Sequence, residues 1–83
     1  MDPKVNDLYR LILNDFKDPY IPLYDAELKS NYIVPSLNQY SRDMIIPRAK
    51  LQELYRKLKK AGLIVEKKLA PNKIAIYLAE WVV

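Results

Sequence analysis

The chain has 83 residues, 51% of them hydrophobic, with no cysteine, no histidine and a single glycine. That length suits one domain, and a domain so small buries only about 60% of its unfolded surface, which leaves a thin stability margin. The formal net charge is +4, and the missing residue types exclude disulfides, thiolate metal sites, histidine general bases and a glycine-rich phosphate loop.

Apolar residues at Val5, Leu8, Tyr9, Ile12, Leu13 and Phe16 share one helical stripe and predict a first helix. Asp2 caps its start, Pro3 suits its first position, and Pro19 and Pro22 prevent continuation. Leu11 lies off the stripe, at the rim or on a contact surface. Tyr20-Ile21-Pro22-Leu23-Tyr24 reads as a short extended piece, with a strand at 20–23 that Pro22 confines to an edge. Asp25 then caps a short second helix that runs through Tyr32. Residues 33–46 read as a loop with one helical turn, capped by Pro35-Ser36 and carrying Leu37, Tyr40 and Met44.

Pro47 opens a third helix over 47–61, with Leu51, Leu54, Tyr55 and Leu58 as its buried stripe. Gly62 provides a left-handed stop, and Leu63 packs back onto the last turn. Residues 63–69 and 73–79 predict a hairpin whose turn has Pro71 at its second position. Pairing Leu69 with Ile74 puts Val65, Leu69, Ile74, Ile76 and Leu78 on one buried face, with Lys67 as the charged residue on the inner side. The register one residue away would bury Glu66 and Lys68 instead. The tail Glu80-Trp81-Val82-Val83 is apolar enough to pack on the core or on a second subunit.

The order helix, short strand, helix, helix, hairpin describes a mostly helical α+β domain. The run Leu51-Gln52-Glu53-Leu54-Tyr55-Arg56-Lys57-Leu58-Lys59-Lys60-Ala61-Gly62-Leu63-Ile64-Val65-Glu66-Lys67-Lys68 resembles the exit from the recognition helix of a winged helix-turn-helix domain. The resemblance implies three helices plus a C-terminal two-stranded wing, in one domain over residues 1–83. It also implies a double-stranded DNA partner. One departure stands out: about fourteen residues separate the second helix from Pro47, whereas such helices are usually joined by a turn of about 3–4 residues.

The charge distribution agrees with a polyanion partner. Residues 1–41 carry four basic and six acidic side chains, and residues 42–73 carry ten basic and three acidic ones. The outward face of the third helix holds Ala49, Gln52, Glu53, Arg56, Lys57 and Lys60. Arg48, Lys50, Gln52 and Arg56 are candidates for base or near-base contact in the major groove. Lys57 and Lys60 are candidates for phosphates, as are Ser41 and Arg42 just before the helix. Lys67, Lys68 and Lys73 surround the wing tip.

Glu53 and Lys57 also form an ordinary helix-surface pair, and charged hairpin edges also discourage aggregation. Tyr20, Tyr24, Tyr32 and Tyr40, with Asn31, Asn38 and Gln39 nearby, read as rim residues with wet hydroxyls; the alternative is a backbone-contacting surface in which Ser36, Ser41 and Arg42 bond phosphates. Asp15, Asp18, Asp25 and Glu27 sit where acids act as caps, and their spacing matches no calcium loop. The expectation is therefore a non-catalytic regulator without metal or cofactor. Paired half-sites favour a homodimer through Leu11, Trp81, Val82 and Val83. Winged helices also serve as protein-interaction modules in transcription or replication assemblies, where the basic face would meet an acidic partner.

No run approaches the roughly 18 apolar residues that span a bilayer, and Met1-Asp2-Pro3-Lys4 does not open a signal peptide. The expected location is cytoplasmic, at the nucleoid for a DNA binder, with no membrane partner. The bias to lysine, isoleucine and tyrosine fits a thermophile, an archaeon or its virus.

Overall fold

The computed structural model describes the backbone of residues 2–81 and the side chains of residues 2–80. The element order is α1 (Pro3–Lys17), β1 (Leu23–Asp25), β2 (Ser30–Tyr32), α2 (Leu37–Met44), α3 (Arg48–Lys60), β3 (Ile64–Ala70) and β4 (Lys73–Leu78), then a short 3₁₀ turn (Ala79–Trp81). Three helices thus combine with two antiparallel two-stranded sheets, β1–β2 and β3–β4. Among the described residues, no helix is long and apolar enough to cross a membrane.

α1 forms as its stripe dictates. Asp2 Oδ1 accepts from the Lys4 amide at 2.9 Å, and Val5, Leu8, Ile12 and Phe16 are buried. The helix ends at Asp18, whose extended backbone is the conformation favoured before proline.

The second predicted helix, Asp25 to Tyr32, does not form. The chain makes a hairpin there instead, pairing Leu23 with Tyr32, Tyr24 with Asn31 and Asp25 with Ser30. The capping chemistry of Asp25 is real, because its Oδ1 accepts from the Glu27 and Leu28 amides at 2.9 and 3.0 Å. Lys29 then turns left-handed (φ 52°) and closes a turn rather than extending a helix. The expected strand at 20–23 accordingly shifts to 23–25. Ile33, just beyond β2, exchanges both backbone hydrogen bonds with Ile76, at 3.0 and 2.8 Å, and so stitches the two sheets together.

Residues 33–46 are more ordered than a loop with one turn. Ser36 caps α2 through the Gln39 amide, and two full turns follow, with Tyr40 buried. Only Ile45-Ile46-Pro47 separates α2 from α3, which removes the fourteen-residue departure.

Both α2 and α3 end in the same six-to-one motif. After α3, the Leu63 amide bonds the Leu58 carbonyl and the Gly62 amide bonds that of Lys59, with Gly62 at φ 75°. After α2, the Ile46 amide bonds the Ser41 carbonyl and the Ile45 amide bonds that of Arg42. The left-handed residue is there an isoleucine, at φ 55°.

The β3–β4 hairpin turns through Pro71-Asn72 as expected, with Ala70 opposite Lys73 and a bulge at Leu69. Its register differs from the expected one: Glu66 lies opposite Ile76 and Lys68 opposite Ile74. Ile64, Glu66 and Lys68 therefore share the face of Ile74, Ile76 and Leu78, while Val65 and Leu69 are about 40% exposed. The acidic side chain on that face is tolerated because α3 supplies its partners, as described below. The other face of β4 is also covered, since Ala75 and Tyr77 are fully buried and the Tyr77 ring packs on Tyr32.

One core joins α1, α2, α3, Ile33 and the β3–β4 hairpin. The Tyr40 hydroxyl crosses it to donate to Asp15. Leu11 is half-buried at its edge. The other expected dimer contacts, Val82, Val83 and the Trp81 side chain, lie outside the described residues.

Candidate nucleic-acid interface

α3 buries Leu51, Leu54, Tyr55 and Leu58 and turns the rest of its circumference outward. The two flanks of that outward face differ chemically. Toward the start of α1, Lys50 Nζ lies 3.6 Å from Glu53 and 4.0 Å from Asp2. Lys57 Nζ lies 3.6 Å from Glu53 and 3.9 Å from Asp2. The Lys4 amide, and after it the ammonium groups of Lys50 and Lys57, hold the Asp2 carboxyl below the usual carboxylate range. Two cations here share two carboxylates, so Lys50 and Lys57 add little net charge to the face.

Toward β3, the Tyr55 hydroxyl donates to Glu66 Oε2 at 2.7 Å. Lys59 Nζ sits 3.3 Å from the same carboxylate oxygen and 5.2 Å from the Tyr55 ring centre. Burial first, and then the bond to Glu66, push the Tyr55 phenol above its ordinary range, which keeps it a neutral donor. This cluster holds β3 along α3, and it accounts for the hairpin register. Glu66 has no place among the site residues expected from the sequence. The available signal was Tyr55, a tyrosine on a buried stripe whose hydroxyl needs a partner.

Between the flanks, Gln52, Arg56 and Lys60 are exposed, and no side-chain hydrogen bond or ion pair among the described residues engages them. Lys68 and Lys73 on the hairpin are equally unengaged. Lys68 follows Glu66 on one face of β3, so it belongs to the α3 side. Lys67 does not. It faces the β1–β2 hairpin, with Nζ 3.6 Å from Asp25 Oδ2, rather than the inner side expected for it.

The hairpin tip reaches the beginning of α3. Pro71, Asn72 and Ile74 line a groove of about 400 Å³ together with Arg48, Ser36 and Asn38. Arg48 donates to Asn38 Oδ1 across this groove.

The two residues expected before α3 fare differently. The Ser41 hydroxyl donates to the Ile46 carbonyl, so its one proton holds the α2–α3 turn and is not free for a phosphate. Arg42 is exposed at the end of α2 and donates to Gln39 Oε1 at 2.9 Å. The structure thus gathers Arg48, Gln52, Arg56, Lys60, Lys68 and Lys73 around α3 and the hairpin. It neutralises Lys50 and Lys57, and it diverts Ser41 and Lys67. No protein-family model, curated protein or solved structure matches the chain.

Proposed function

We propose that this chain is a winged helix-turn-helix module that binds double-stranded DNA, as a small transcriptional regulator. In this reading α2, the three-residue turn and α3 form the helix-turn-helix, and the β3–β4 hairpin is the wing. α3 enters the major groove, where Gln52 and Arg56 have the donor and acceptor geometry to read base edges. Lys60, Lys68 and Lys73 meet phosphates, and Arg48 joins them from the groove beside the wing tip. A DNA partner would place the protein in the cytoplasm, at the nucleoid.

The observation that supports this reading is the selective pairing of charge. The chain neutralises the cations on the α1 flank of α3, whereas Arg56 and Lys60 on its crest and Lys68 and Lys73 on the wing have no ion-pair partner among the described residues. A helix needing charge only for solubility gains nothing from that segregation. A polyanion surface does, because each unpaired cation can release a counterion.

The test is fluorescence anisotropy on mixed-sequence duplex DNA at two salt concentrations. Neutralising about five phosphates gives a slope of log K against log salt near −4 to −5. Arg56→Glu combined with Lys60→Glu should abolish binding with an unchanged circular dichroism spectrum. Binding that ignores salt, or no binding by the folded wild type, overturns the DNA reading and favours an acidic protein partner.

A further inference from the structure

Ile45 stands in a position that its own chain does not explain. The motif that ends α2 needs one left-handed residue, and the same motif after α3 uses Gly62 for it. A β-branched residue at φ 55° is strained, by roughly 1–2 kcal/mol. Burial within the chain does not compensate, because the Ile45 side chain is 90% exposed. An apolar, conformationally costly side chain is thus held out to solvent at the tip of a turn.

Beside it lies a groove between α1 and the end of α2, of about 390 Å³, lined by Lys4, Asp7, Arg10, Leu11, Asp43 and Met44. Its apolar lining is Leu11 and Met44, both half-buried. Its rim carries two basic and two acidic side chains. Among the described residues, Lys4, Asp7 and Arg10 form no side-chain ion pair, and Asp43 accepts only from Gln39, at 2.8 Å. Charges of both signs therefore line one groove without an ion pair to any of the described residues.

We infer that this face is a self-association surface, with a second copy of the same chain as its occupant. In a two-fold contact each Ile45 enters the Leu11–Met44 groove of the other copy, since knob and groove are neighbours on one surface. The same rotation sets Lys4 and Arg10 against Asp7 and Asp43. A rim with equal numbers of each sign complements itself, whereas a partner of one charge would meet repulsion from half of it. The contact leaves the wing free, because the hairpin lies against the Tyr55–Lys59 flank of α3 and the start of α1 lies against the Lys50–Lys57 flank.

Sedimentation velocity without DNA tests this over about 1–500 µM, the range that separates a transient dimer from a monomer. The wild type should dimerise with rising concentration. Ile45→Asn, which suits the left-handed backbone while removing the apolar knob, should weaken the dimer about tenfold or more with the fold intact. Arg10→Asp should weaken it, and adding Asp43→Arg should restore it. A wild type that stays monomeric throughout overturns the inference, as does a dimer indifferent to Ile45→Asn or to the charge exchange. Because no DNA is present, either result leaves the DNA reading to its own test.

Discussion

The Tyr55 hydroxyl and Glu66 Oε2 lie 2.7 Å apart, and this bond joins the middle of α3 to the strand that leads into the proposed wing. The two residues are eleven positions apart, on either side of the Gly62 stop. Their bond sets the lateral position of the hairpin against the helix, with Lys59 adding a charge to the same carboxylate. Tyr55→Phe keeps the ring in the core but withdraws the donor. It should lower stability by about 1–2 kcal/mol. In urea unfolding the midpoint should fall with the slope unchanged. An unchanged midpoint would show that Lys59 alone holds the strand.

The unequal pairing of the α3 cations makes the DNA reading quantitative. Lys50 and Lys57 are already compensated by Asp2 and Glu53, whereas Arg56 has no ion-pair partner among the described residues. Arg56→Ala should flatten the salt slope of duplex binding by about 1, and Lys57→Ala by much less. Glu53→Gln should act in the opposite direction, raising affinity and steepening the slope by about 1 as the two lysines are released. Equal effects of Arg56→Ala and Lys57→Ala would contradict the segregation of charge on this helix.

The left-handed Ile45 allows a stabilising substitution. Ile45→Gly relieves a strain of roughly 1–2 kcal/mol and removes no buried contact, while the freer unfolded chain costs about 0.4–1 kcal/mol. The net expectation is a gain of about 0.5–1 kcal/mol, measured by denaturant unfolding at a protein concentration low enough to exclude self-association. A loss of stability would mean that Ile45 makes contacts in the monomer that its exposure denies.

The parts of the fold that were legible in the sequence are those whose information is local. The stripe from Val5 to Phe16, the stop at Gly62 and the turn at Pro71 each depend on a few neighbouring residues, and each forms as expected. The segment from Asp25 to Tyr32 misled because an aspartate that caps a helix also caps a turn. In the hairpin that forms, Asp25 accepts from the hydroxyl of Tyr77, 52 residues away, a partner that no local pattern reveals. The hairpin register misled for a related reason. Glu66 looked unsuited to the inner face until Tyr55 and Lys59 supplied its partners, and that information lies in α3 rather than in either strand. The same limit applies to the candidate interface. Which residues are basic was plain, but which of them are neutralised depends on where the start of α1, β3 and the β1–β2 hairpin pack.

Asp25 and Tyr77 tie the β1–β2 hairpin to β4, and their bond should make stability fall at both ends of the pH scale. The Leu28 amide first, then the Tyr77 hydroxyl at 2.7 Å, hold the Asp25 carboxyl below its ordinary range, and Lys67 acts in the same direction. The folded state thus favours charged Asp25, so its contribution is present above the ordinary carboxylate range and is lost as pH falls through the depressed folded value. Burial first, and then Asp25, push the Tyr77 phenol up to about 12. The folded state thus favours neutral Tyr77, so this contribution is present below the ordinary tyrosine value near 10 and is lost as pH rises toward about 12. Tyr77→Phe should flatten the alkaline decline and leave most of the acid one, because the Leu28 amide still favours the carboxylate. Asp25→Asn should flatten the acid decline and only reduce the alkaline one, because the phenol stays buried. Thermal unfolding across pH separates these two patterns, and an Asp25→Asn profile that parallels the wild type below neutral pH would show that the acid sensitivity arises at another carboxylate.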